Sequence, residues 1–208
     1  MTSLVLFSRN FIKHPRMLGS LIPSSRFLVN RLLDQVDWAR ADTIVEYGPG
    51  VGTFTGEILR RLKPGGSVVA IDTNRDFARY LSRTLRDDRL HVVEGSAAEA
   101  QQSLRERGLG RADYVISGIP YSTMDPVLRE QILKTTHDVL QPDGSFLVYQ
   151  FTRAVLPHLR QVFPHVDQEF EPRNIMPARL FYCRRNADRR LANGRRGPRS
   201  RARTASDR

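Results

Sequence analysis

Asp42-Thr43-Ile44-Val45-Glu46-Tyr47-Gly48-Pro49-Gly50-Val51-Gly52-Thr53-Phe54 is the stretch on which the fold turns. It reads as strand, tight turn and helix start: an apolar run, an acid at its end, alternating glycines, then a helical segment from Thr53 to Leu62 with a free N-terminus. The glycines let the backbone turn sharply and let a ligand approach it closely. In the dinucleotide-binding fingerprint the third glycine or alanine falls three places after the second; here Gly52 falls two after Gly50, and Pro49 removes one backbone N–H. A loop with fewer amide donors and a carboxylate at its mouth suits a nucleoside ligand without a pyrophosphate. S-adenosylmethionine, an adenosine joined to an amino acid through a sulfonium, is such a ligand. A second acid, Asp72, closes the run Ser67 to Ile71 at 22 residues beyond Gly50, where an acid meets ribose hydroxyls.

A chain of 208 residues accommodates one α/β domain and a tail. The formal charge of +11 is unevenly placed: from Arg184 onward ten arginines face two aspartates, so the tail carries +8 and the body +3. The single cysteine, Cys183, excludes an internal disulfide and fits a reducing compartment, and no Cys/His cluster has zinc spacing, so no metal is expected. No apolar run approaches the ~20 residues of a spanning helix. The short Leu4-Val5-Leu6-Phe7 run lacks a preceding basic residue, which argues against a secretory signal and for the cytoplasm.

Ser3 to His14 can form a short helix with Leu4, Phe7 and Phe11 opposite Arg9 and Lys13. Residues 1–23 are therefore read as an amphipathic segment that packs over the domain as a lid, lies on a membrane surface, or does both. Ser24 and Ser25 precede Arg26-Phe27-Leu28-Val29 as a helix cap, and Ser24 can also face the ligand. Beyond the glycine loop, apolar strands alternate with helical stretches: Ser67 to Asp72, Leu90 to Glu94, Ala112 to Ser117 and Ser145 to Phe151, each followed by a helix. That alternation predicts a parallel sheet covered on both faces. Val166 to Glu171 and Ala178 to Cys183, joined only by a loop, predict an antiparallel hairpin. The domain is expected over 24–184, and residues 185–208, arginine-rich and nearly devoid of apolar side chains, are expected to be a disordered tail.

Ligands of open α/β sheets bind beyond the carboxyl ends of the strands. The residues standing there are Glu46 with Gly48, Gly50 and Gly52; Asp72 and Thr73; Ser96 and Ala97; and Ser117, Gly118, Ile119 and Tyr121. In this set the chain resembles the class I methyltransferases, specifically the group of bacterial phospholipid N-methyltransferases and rRNA adenine dimethyltransferases, over about Gly19 to Cys183. The resemblance implies a Rossmann-like sheet of five parallel strands plus a C-terminal antiparallel hairpin. It places Glu46 and the glycines around the methionine part of S-adenosylmethionine and Asp72 at the ribose. Ser96 stands where the family usually has an acid for the adenine amine, and Ala97 offers its backbone. RNA adenine dimethyltransferases have an asparagine where this chain has Gly118. Ser117-Gly118-Ile119-Pro120, like the upstream Gly19 to Ser25, is similar to the phospholipid enzymes.

The expected activity is thus methylation of a membrane aminolipid amine, phosphatidylethanolamine toward phosphatidylcholine, by an enzyme held peripherally at the inner face of an anionic membrane. Two alternatives stay open: an RNA adenine N6-methyltransferase with the arginine tail as anchor, and a cofactor-binding module without turnover, for which Ser96 is the suggestive departure. Gly118, Ile119 and Tyr121 are the candidate catalytic residues. The ring of Tyr121 can stabilise a cationic amine, or can simply pack against the following helix. His14 is the only histidine weighed as a base.

Overall fold

The computed structural model describes residues 24–186. The amphipathic segment 1–23, with His14 and the Gly19 to Pro23 part of the upstream motif, and residues 187–208 of the arginine tail lie outside the described residues. The described chain is one seven-stranded sheet, ordered β3-β2-β1-β4-β5-β7-β6. Strands β1 (Thr43–Tyr47), β2 (Ser67–Asp72), β3 (Leu90–Glu94), β4 (Ala112–Ser117) and β5 (Leu140–Gln150) are parallel. β6 (His165–Glu171) and β7 (Ala178–Arg184) form the antiparallel hairpin, and β7 pairs antiparallel with β5. The α/β methyltransferase-type sheet read from the sequence is the observed one.

Neighbouring residues of one strand enter different cores, because side chains alternate across a pleated strand. Val45, Val69 and Phe146 join one apolar cluster with Leu104, Ile132 and Phe163. Ile44, Val68 and Leu147 join the other with Leu28, Phe54 and Ile58. Both faces are dry, which explains strands that read as unbroken apolar runs. The first face is covered by α4 (Ala100–Arg105), α5 (Pro126–Val139) and α6 (Leu156–Val162). The second is covered by α1 (Arg26–Leu33) and α2 (Thr53–Arg61). α3 (Arg75–Thr84) follows β2 and seats Phe77 against Val51 of the glycine loop.

Local signals set the helix starts. Ser25 caps α1, its hydroxyl accepting the Leu28 N–H; Asn74 caps α3; and Asp125 takes the N–H groups of Val127 and Leu128 ahead of Pro126 at the first turn of α5. Some boundaries differ from the expected ones. β5 begins at Leu140 rather than Ser145, because Leu140 already pairs with Ala112; Gln141 to Gly144 then bulge out before Ser145 pairs with Tyr114. The helix expected after β3 begins as a 3-10 turn, Ala97–Glu99, and continues over Ala100–Arg105.

The strand directions place the hairpin tip, residues 172–177, at the carboxyl end of the sheet, since Arg179 pairs with Gln150, the last residue of β5. The start of α1 is tied to the same place. The Ser25 N–H donates to Asn174 Oδ1 at 2.7 Å and its hydroxyl to the Arg173 carbonyl at 2.7 Å. Buried Glu171 binds Arg31 of α1 at 3.0 Å and Arg173 at 3.1 Å.

Candidate active site

The glycine loop is shaped by what lies behind it. Gly48, Gly50 and Gly52 all have positive φ, 70°, 56° and 86°, a region that side chains with a Cβ resist. A Cβ on Gly48 would also lie 2.7 Å from Ile119 Cγ2, and one on Gly52 2.5 Å from Leu81 Cδ1. The loop is thus pressed between the β4 loop on one side and α3 on the other. Asp72 fastens it: Oδ2 accepts the Gly50 N–H at 3.1 Å, and Oδ1 accepts the Asn74 N–H at 2.8 Å. Each oxygen keeps a lone pair for a further donor. Burial outweighs these two bonds and raises the Asp72 pKa above the ordinary value.

Glu46 is almost fully buried, and Oε2 accepts the Thr55 hydroxyl at 2.7 Å. Loss of water raises its pKa to about 7; the Thr55 bond opposes that rise and the charge of Asp72 adds to it. Ser96 acts as a cap. Its hydroxyl accepts the Ala98 N–H at 3.2 Å, while Glu99 Oε2 accepts the Ser96 N–H at 3.2 Å. The carboxylate in this loop is therefore Glu99, three residues beyond the place where the family resemblance puts an acid. Thr73 is exposed at the edge, and Ala97 is buried beneath the turn.

The β4 loop departs from the expected arrangement. Tyr121, expected to offer its ring to a cationic amine, is fully buried. Its ring meets Phe146 edge-on at 6.4 Å, its hydroxyl bonds Ser117 Oγ at 3.0 Å, and Ser117 is itself fully buried. Both side chains support the loop from inside the core, so the packing alternative replaces the first-contact role of Tyr121. Ile119 is committed as well. Its carbonyl accepts the Tyr121 N–H at 3.0 Å and Gln150 Nε2 at 2.8 Å, and its side chain backs Gly48.

The aromatic group that does reach Gly118 is Tyr149 of β5, which the sequence reading missed. A Cβ on Gly118 would collide with the Tyr149 hydroxyl and lie 2.7 Å from its Cε1. The backbone of Gly118 is not in the left-handed region, so it is the tyrosine, not the turn, that requires a glycine there. The Tyr149 ring stacks on Phe54 at 5.0 Å, and its hydroxyl bonds Ser24. Burial pushes the Tyr149 pKa up to about 12, with the Ser24 bond opposing and the nearby Glu46 charge reinforcing the rise. One signal was legible in advance: an aromatic residue at the carboxyl end of a strand adjoining the Gly118 loop.

The family model for ribosomal RNA adenine dimethylases matches residues 13–152. The chain belongs to that family. The chain is 33% identical to the ornithine lipid N-methyltransferase of Singulisphaera acidiphila, over 88% of this chain and 97% of that protein. It is 30% identical to ribosomal RNA small subunit methyltransferase A of Opitutus terrae over 54% of this chain but only 41% of that protein. The fold matches human methyltransferase-like protein 13 in complex with SAH at a TM-score of 0.60, with 16% identity, over 80% of this chain and 83% of that one. The chain is an S-adenosylmethionine-dependent methyltransferase. Its loop fits that cofactor: three positive-φ glycines keep the turn tight where a Cβ on Gly48 or Gly52 would strike Ile119 or Leu81, and Asp72 retains acceptor capacity beside it. Among the described residues no helix is long and apolar enough to cross a membrane, and no group of three His, Cys, Asp or Glu is placed to hold a metal.

Proposed function

We propose that this methyltransferase acts on the primary amine of a membrane aminolipid, phosphatidylethanolamine toward phosphatidylcholine in the first instance, with ornithine lipid, named for the Singulisphaera relative, as the nearest competitor. The observation that carries the reading is the packing of Tyr149 on Gly118. The asparagine that the family resemblance assigns to the RNA adenine branch has no room at this position. A tyrosine hydroxyl, backed by Ser24, stands there instead and offers an acceptor to an ammonium or amine hydrogen. With a pKa near 12 that hydroxyl stays neutral at physiological pH, so it orients the amine rather than deprotonating it.

On the cofactor side, Glu46, Gly48, Gly50 and Gly52 are proposed to surround the methionine part, Asp72 and Thr73 the ribose, and Ser96 and Ala97 the adenine. When bound, S-adenosylmethionine supplies an electrophilic methyl group on a sulfonium. The chain contributes alignment and exclusion of water: the buried Ser117–Tyr121 pair and the doubly bonded Ile119 carbonyl hold the β4 loop rigid, and Gly118 and Tyr149 face the acceptor. Labelled S-adenosylmethionine incubated in parallel with phosphatidylethanolamine vesicles, ornithine lipid vesicles and ribosomal RNA tests the reading. Label in either lipid supports it and identifies the headgroup, whereas label confined to RNA overturns it.

A further inference from the structure

The large hydrophobic side chains that the described residues leave exposed are Val127, Leu128, Phe170, Ile175 and Met176, and all five stand toward the same end of the sheet. Val127 and Leu128 occupy the first turn of α5, directly after the β4 loop. Ile175 and Met176 form the tip of the β6–β7 hairpin, and Phe170 lies just below it on the edge strand. Val127 is 75% and Ile175 73% exposed, values that leave both side chains almost wholly in water. Apolar groups concentrated on one rim rather than scattered mark a contact surface.

The charges interleaved with them are mostly arginines. Arg26 and Arg173 both stack on the Phe27 ring, at 5.0 and 4.3 Å from its centroid, and Arg179 stacks on Phe170 at 5.3 Å. Exposed Arg153 follows β5 at the same end. The acids near this rim are Glu171, already shared between Arg31 and Arg173, Glu169, which accepts the Tyr182 hydroxyl and lies 4.0 Å from Arg31, and Asp125 and Glu130 at the start of α5. Stacking holds the guanidinium planes of Arg26 and Arg179 beside the apolar tips while leaving them available to phosphate oxygens, whereas Arg173 is committed to Glu171.

We propose that the hairpin tip and the first turn of α5 form a rim that docks on an anionic lipid bilayer, Ile175, Met176 and Val127 entering the acyl boundary and Arg26, Arg153 and Arg179 meeting headgroup phosphates. This rests on the aminolipid reading for its purpose, because the rim flanks the Gly118–Tyr149 loop and so presents that loop to an amine held at the bilayer surface. It differs from docking by residues 1–23 in the residues it uses.

The test is the pair Val127→Glu and Ile175→Glu in the full chain. Both positions are exposed, and a carboxylate in the first turn of a helix is favourable, so the fold tolerates the changes. Flotation with vesicles of phosphatidylglycerol and phosphatidylethanolamine should fall by about ten-fold or more, since each change trades apolar contact for a charge that repels the surface. Turnover on the same vesicles should fall with it. Melting temperature, S-adenosylhomocysteine affinity and turnover on detergent-dispersed lipid should stay as in the parent. Unchanged flotation overturns the rim, as does a change from dimer to monomer with flotation retained, which assigns the surface to a second copy. The two readings separate cleanly: lipid methylated in detergent but flotation unmoved removes the rim alone, while flotation lost with no lipid ever methylated removes the aminolipid reading alone.

Discussion

The carboxyl edge of the sheet has two halves of opposite character. Over β1, β2 and β3 stand Glu46, Asp72, Asp76, Glu94 and Glu99, with glycines and caps between them and every loop tied back by hydrogen bonds. Over β4, β5, β7 and β6 stand Tyr149, the apolar tips and the stacked arginines. One sheet edge thus carries the acceptors of the proposed cofactor site and, farther along, the apolar side chains of the proposed docking rim. The division falls at the β1–β4 step, the topological switch point of the strand order.

Breaking the acidic half should have the largest effect. Asp72→Ala removes the proposed ribose acceptor, so S-adenosylhomocysteine affinity should fall about a hundredfold, within the ~1–3 kcal/mol of one unpaired buried partner, while loss of the bonds to the Gly50 and Asn74 amides lowers stability as well. Calorimetric titration checks it; unchanged affinity would remove the cofactor assignment. Breaking the other half at its seam comes next. Gly118→Asn should cost about 1–3 kcal/mol in denaturant unfolding through overpacking against Tyr149. Adding Tyr149→Ala should recover part of that cost, and a strictly additive double variant would show that the two positions are not coupled.

The pH dependence sharpens the contrast, since the acidic half holds Glu46, whose carboxyl burial raises to about 7. Glu46, raised from 4.5 to about 7 by burial, is largely neutral below that pH and offers no charge to a cationic amino group. Binding a cation there must expel the proton, so S-adenosylhomocysteine affinity should rise with pH, by up to about tenfold per unit below 7, and level off above it. Glu46→Gln should flatten the profile. Stability runs the other way: the folded state binds the extra proton between about pH 4.5 and 7, so this carboxyl's contribution is lost as pH rises through that window. The smallest effect belongs to the tail. Removing residues 187–208 should leave turnover on detergent-dispersed lipid unchanged and reduce only salt-sensitive attraction to anionic vesicles, checked by flotation at two ionic strengths.

The acidic half was the more legible in the sequence, and the reason is locality. Glu46, the glycines and Asp72 announce themselves by spacing along one βαβ unit, whose strands and helices follow from hydrophobic periodicity alone. The other half depends on contacts between distant segments. Gly118 meets Tyr149, 31 positions away, and Ser24 reaches Tyr149 from the far side of the glycine loop. Tyr121 sits in a promising motif but points inward, an orientation set by how the short 3-10 turn Tyr121–Thr123 follows Pro120, which composition does not reveal. The exposure of Ile175 and Met176 was hidden for a similar reason: in a sequence they look like any other apolar pair.

The contact between Gly118 and Tyr149 also constrains how such a protein can change over generations. An ancestor carrying a side chain at position 118 could not accept a tyrosine at 149 in this pose without a steric penalty, and a descendant carrying that tyrosine could not regain the side chain. The order of least cost is therefore one in which the side chain at 118 goes before the ring arrives, and the ring leaves before it returns. Each route passes through a form with an empty socket, weakened for either acceptor. Two lineages separated by such a gap would drift back and forth rarely.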